Sequence, residues 1–228
     1  MANDTDQTET VPRQEFGIRK MELVNIIEGV KDEGRKTTSS VTLVKTPTST
    51  VVVDSGAKHV RDELVTFMRK NEAKVEKVNV LLTSRADDYH SGNDDLFVHC
   101  LQHVLETDWG KVPVKSQRKV AITTPVHWID KFLKIVKLPF PEGESLALLA
   151  HFPDREELLE PSTIPFKGQV VGITGISVPY KEHPEVKSAL MKAINMERPK
   201  GNIETMEELL AYCDFIIPSY GPMFRVRG

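Results

Sequence analysis

The sequence predicts an α/β fold, and three observations predict it. Short β-branched runs recur along the chain, amphipathic helical stretches separate them, and Val78–Leu82 (VNVLL) has the composition of a strand buried on both faces. With 228 residues and 39% hydrophobic content, the chain can bury a substantial core as one compact domain.

Residues 1–15 hold Asp, Glu, Thr and Gln and almost nothing apolar. Such a stretch buries too little to offset the entropy of ordering, so a disordered tail is expected there and the domain is expected to span residues 16–228. Ser40–Lys45 (SVTLVK) and Thr50–Val53 (TVVV) read as two strands of a hairpin that ends at Asp54-Ser55-Gly56. A helix follows, with Val60, Leu64, Phe67 and Met68 on one face and charged residues over the rest. After the Val78–Leu82 strand comes a polar loop, Thr83–Asn93. Asp94–Leu105 is predicted to return to helix, with Leu96, Phe97, Cys100, Leu101 and Val104 as its buried face.

The second half repeats the pattern with more prolines. Strands are predicted at Lys119–Thr123, Ser145–His151 and Gln169–Ile173, helices at Pro184–Met196 and Glu204–Tyr212, and a last strand at Phe215–Pro218.

A formal net charge of -3 gives no general pull toward nucleic acid or acidic membranes. The two cysteines, Cys100 and Cys213, are too few for a disulfide framework or a thiolate zinc site and fit a reducing compartment. No apolar run approaches the ~20 residues that span a bilayer, and the polar N-terminal stretch lacks the blocks of a signal peptide. A cytoplasmic or nuclear protein with no membrane attachment is expected.

The loop Ser84–Asn93 reads SRADDYHSGN between a buried strand and an expected helix. It resembles the signature T-H-x-H-x-D-H-x-G-N of the metallo-β-lactamase superfamily, which occupies the same kind of junction. Aligned through Gly92-Asn93, Arg85 takes the place of the first histidine, Asp87 of the second, Tyr89 of the aspartate, and His90 keeps the last histidine. Within that superfamily, the sequence resembles the metallo-beta-lactamase domain-containing protein 1 branch. It carries the same SVTLV strand, an L-V-D-T-G turn matched by VVVDSG, and a terminal V-V-P-G-H-G-P-P-F-R-V matched by FIIPSYGPMFRV. By the same resemblance Gly175 stands where the family has its bridging aspartate, and Tyr220 where it has its last histidine.

The resemblance implies an αββα four-layer sandwich, with two mixed β-sheets face to face and helices on both outer sides. It also implies zinc-dependent hydrolysis and, for the branch, homodimers acting on RNA, including histone pre-mRNA processing. Zinc lowers the pKa of a bound water and polarises the scissile bond, and a catalytic site needs at least three protein ligands. His90 and Asp87 do not reach that number, and a fixed cation at Arg85 repels a divalent metal.

The degenerate signature therefore points to a pseudoenzyme with no catalytic residue and no cofactor, acting as a binding or assembly subunit. Its partner would be a second copy or a related active subunit, and nucleic acid would be engaged only indirectly. On this reading Tyr89 and Tyr220 fill the emptied site, and Arg85 pairs with a carboxylate of the Asp87, Asp88, Asp94 and Asp95 group. The alternative is a hydrolase acting on RNA or thioesters, with zinc or another divalent metal on Asp87, His90 and a further residue such as His127 or His151. His99 and His103, four apart, are either two imidazoles on one metal or a polar helical stripe. No G-x-S-x-G motif supports a metal-free nucleophile, and Gly172 with Gly175 is a weak match to a phosphate turn.

Overall fold

The computed structural model describes residues 21–32, 36–112, 118–138, 143–154, 166, 168–175 and 184–226. The expected tail at residues 1–15 lies outside them, as does the start of the domain at Phe16.

The first sheet has the order β1 (Glu22–Ile27), β2 (Val41–Lys45), β3 (Thr50–Val53), β4 (Val80–Leu82), β5 (Leu101–Leu105), β6 (Lys119–Ile122). Its first three strands are antiparallel, and β3 through β6 are parallel. The second sheet contains β7 (Val126–Trp128), β8 (Leu133–Leu138), β9 (Ser145–His151), β10 (Val170–Thr174), β11 (Phe215–Ile217) and β12 (Phe224–Arg225), again as consecutive neighbours. Only β10 and β11 run parallel there.

Side-chain alternation assigns each strand two faces. In β3 and β4, Val51, Val53, Val80 and Leu82 join the core between the sheets, whereas Val52 and Leu81 join an outer core. That outer core packs under Leu64 and Met68 of helix α1 (Arg61–Lys70). In β9, Leu146, Leu148 and Ala150 face inward, whereas Ala147 and Leu149 meet helices α2 (Pro184–Ile194) and α3 (Met206–Tyr212). The layers are therefore αββα, as expected. A capping box closes the start of α3: Glu208 N donates to Thr205 Oγ1 and Thr205 N donates back to the Glu208 carboxylate.

One predicted element is corrected. Asp94–Leu105 is not a helix: a 3₁₀ turn, Asp94–Phe97, leads into β5, which lies between β4 and β6. Gln102 through Leu105 are all buried, so the segment shows no alternation, and parallel pairing on both flanks decides its conformation. His99 and His103 therefore share no helical face: His99 is exposed, and His103 is buried on β5. The strands β1, β7, β8 and β12 were not predicted. Among the described residues, no helix is long and apolar enough to cross a membrane.

Candidate functional site

The candidate site gathers where strands of both sheets end on the same side. Beyond Val53, Asp54 adopts φ 58° and Gly56 φ 67°, both in the left-handed region that glycine takes freely and aspartate tolerates better than most residues. The turn aims the Asp54 carboxylate at the end of β4, where Ser84 N and Ser84 Oγ donate to it at 2.8 and 2.7 Å. Complete burial pushes the Asp54 carboxyl up to about 6 even though the His90 charge and the Ser84 hydrogen bonds pull the other way.

Asp94 is buried beside it and accepts from Ser55 Oγ at 2.7 Å, Thr83 Oγ1 at 3.0 Å and Gln102 Nε2 at 2.7 Å. Burial pushes its carboxyl up to about 7, against those hydrogen bonds. Asn93 Nδ2 donates to Ser55 O and Ala57 O. These bonds tie the Asp54–Ala57 turn to the Thr83–Asp94 loop.

The loop conformation is set by Asp87. Its Oδ1 accepts from Tyr89 N and His90 N, both at 3.0 Å, and lies 2.7 Å from His90 Nδ1. The His90 ring is consequently turned inward, with 1% exposure, and its Nε2 lies 3.3 Å from Ser219 Oγ. Ser219 Oγ in turn donates to Thr174 O. Burial lowers the His90 pKa, but Asp87 and Asp54 outweigh it and the net shift is upward; the Asp87 carboxyl is raised by burial and pulled down further by His90. The two form a partly buried ion pair, with His90 enclosed and Asp87 at the surface edge. Arg85 Nε stands 3.7 Å from Asp87 Oδ2, an ion pair too long for a hydrogen bond.

The other aligned positions separate. Tyr220 is 5% exposed and sets its ring edge-on to His90 at 6.2 Å, and burial pushes its hydroxyl up to about 12. Tyr89 does not fill the site: the turn that points His90 inward points Tyr89 outward, and it is 47% exposed. Gly175 lies against Ser84, and a Cβ there would stand 1.8 Å from Ser84 Oγ and 2.1 Å from Ser84 Cβ. No side chain fits at 175 while Ser84 keeps its bond to Asp54.

These contacts test whether the residues present suit the metal that the fold family uses. Both His90 nitrogens already have partners, and Ser84 closes the approach from Gly175. Among the described residues, no group of three or more His, Cys, Asp or Glu could hold a metal ion. His127 packs against His103 at 5.1 Å, and His151 lies between Trp128 and Tyr212; neither makes a ring contact with His90. The residues do not fit a zinc centre.

Sequence reasoning missed Ser84 and Ser219 as the polar partners of the site, and Gln102, which it had assigned to a helix. The VVVDSG turn was the available signal for Asp54. A serine beside the signature carries none until the fold brings it to a carboxylate.

No protein-family model matches the chain, and the search of curated proteins found no match either. Solved structures do resemble it. A metallo-β-lactamase-type protein from Thermotoga maritima is 16% identical, covering 91% of this chain and 100% of its own, with a TM-score of 0.63. A B3 metallo-β-lactamase with an active site glutamic acid is 11% identical over 92% of this chain and 84% of its own, at a TM-score of 0.51. MEM-A1, a subclass B3 enzyme from a soil metagenome library, is 12% identical over 89% and 81%, at 0.50. Layer order, sheet composition and these likenesses together establish that the chain has the metallo-β-lactamase fold.

Proposed function

We propose that this chain is a metallo-β-lactamase-fold pseudoenzyme: a binding or assembly subunit of the cytoplasm or nucleus whose former metal site has become part of its structural core. The observation that carries this reading is the engagement of His90 on both ring nitrogens, with Ser84 occupying the space at Gly175. A ligand histidine needs one nitrogen free for the metal, with the other oriented by an outer partner. Here Asp87 and Ser219 take both.

The similarity to the metallo-beta-lactamase domain-containing protein 1 branch suggests pairing with a second copy or with an active relative in RNA processing.

The alternative is a hydrolase of RNA or thioesters with a non-standard site on Asp87 and His90. It draws support from the shared fold, which is also that of a B3 metallo-β-lactamase with an active site glutamic acid. Elemental analysis of protein purified without chelator and then dialysed separates the two. Less than about one tenth of an equivalent of any transition metal is expected, given how tightly zinc centres hold their ion. One or two retained equivalents would overturn the pseudoenzyme reading, and Asp87→Ala and His90→Ala would then be tested for metal loss and for hydrolysis.

A further inference from the structure

Three surface cavities differ in the charge of their walls. The smallest, about 200 Å³, faces Arg85 and Lys111 with Asp87, Asp108 and Glu144, so no anion is favoured there. A second, about 730 Å³, runs between β1 and α1 and sets Lys36 and His59 against Glu28 and Glu63. The third, about 740 Å³, has Lys36, Lys58, His59 and Lys111 on its walls and Asp88 as the single carboxylate among its described lining.

The cations of this third cavity differ in how they are neutralised. Lys111 Nζ is bonded to Asp108 at 2.7 Å. Lys36 and Lys58 make no ion pair with any described residue. The Lys58 charge also acts on the Asp95 carboxylate, but ammonium groups with no directly bonded carboxylate around a concavity still add their fields inside it and raise the local concentration of anions. Tyr89 stands at the same wall. Its backbone is fixed by Asp87 and Ser39, and the residue is 47% exposed, so its ring offers a flat surface on the same wall as the cations. The volume lies within the ~300–1,000 Å³ of small-molecule sites.

We infer that this cavity binds a phosphorylated small molecule carrying a flat ring, of the nucleoside phosphate class, with its phosphates among Lys36, Lys58 and Lys111 and its ring on Tyr89. The lysines select the anionic end, Tyr89 selects the planar end, and Asp88 is placed to accept a hydrogen bond from an amino or hydroxyl group. The site uses neither His90 nor any metal, so it stands independently of the pseudoenzyme reading.

The test is calorimetric titration of the full chain at low ionic strength with two probes, tripolyphosphate and adenosine triphosphate, both without divalent metal. Saturable binding of one equivalent of each is expected, with the nucleotide tighter by about five- to tenfold through ring stacking. Lys36→Ala combined with Lys58→Ala weakens both probes by roughly tenfold or more, since each lost charge acts on the same phosphates. Tyr89→Leu removes the nucleotide's advantage and leaves tripolyphosphate unchanged. Absence of saturable binding by either probe at millimolar concentration overturns the proposal, as do affinities that the double lysine substitution does not move. Nucleotide and tripolyphosphate binding equally to the unaltered chain overturns the ring contact and with it the nucleoside class.

Discussion

Gly175 and Ser84 occupy one space, and that makes their interdependence measurable. A Cβ at 175 would lie within bonding distance of the Ser84 hydroxyl, so Gly175→Ala is expected to cost about 1–3 kcal/mol through overpacking. Combining it with Ser84→Gly relieves the clash, and urea denaturation of the single and double variants should show destabilisation well short of additive. The His90–Asp87 pair makes a second prediction. Asp87→Asn removes the main partner that raises the His90 pKa against burial, so the His90 titration followed by NMR shifts downward. The sign for stability follows from linkage. A histidine with raised pKa stabilises fully below about 6.5 and loses that contribution as pH rises through its folded value. The depressed Asp87 carboxyl contributes above about 3.8 and loses it as pH falls. The variant should therefore lose most stability between those limits. The signature loop was legible in the sequence because it is a contiguous motif, whereas Asp54 was legible only as part of a turn and not as a site residue. Ser219 was not, since its tie to His90 spans 129 residues of chain.

Among the elements, β5 separates what sequence periodicity reveals from what it conceals. Its apolar residues, with those just before it, match a helical period, and nothing local distinguishes that pattern from a strand covered on both faces. Strands β2, β3 and β9 were legible because β-branched or aliphatic residues concentrate in them between turn signals. Strand β8 was not, because Lys134 and Lys137 interrupt it; Lys134 is nonetheless buried, with its ammonium donating to Tyr212 Oη at 2.9 Å. The placement of β5 predicts that the amides of Gln102–Leu105 exchange slowly with solvent, since neighbours flank it on both sides. It also gives the protein an acid-sensitive point. His103 is buried with Nδ1 unpartnered, and burial together with the His127 charge pushes its pKa down to about 4. Below about 6.5 the unfolded chain takes up a proton that the folded one refuses until about 4, so stability present above 6.5 is lost as pH falls. Asp94, raised to about 7, acts in the opposite direction over the same range. His103→Leu should therefore flatten the acid limb of a stability profile measured by urea denaturation from pH 7 to pH 4.

For the whole molecule, the inter-sheet core is what joins the two sheets. Leu148 lies at its centre with no exposure, and Leu148→Ala is expected to cost about 2–5 kcal/mol in equilibrium unfolding. The same core bears on how the protein is made, because each sheet draws on one continuous half of the chain: β1–β6 end at Ile122 and β7–β12 begin at Val126. At the ~5–20 residues per second of translation, the ribosome finishes the first half several seconds before the second is complete. During that interval Val51, Val53, Val80 and Leu82 have no opposing sheet to cover them. The nascent first sheet presents a wide apolar surface just as it becomes able to form, and that surface is where a chaperone would have to act if the protein is to escape aggregation at birth.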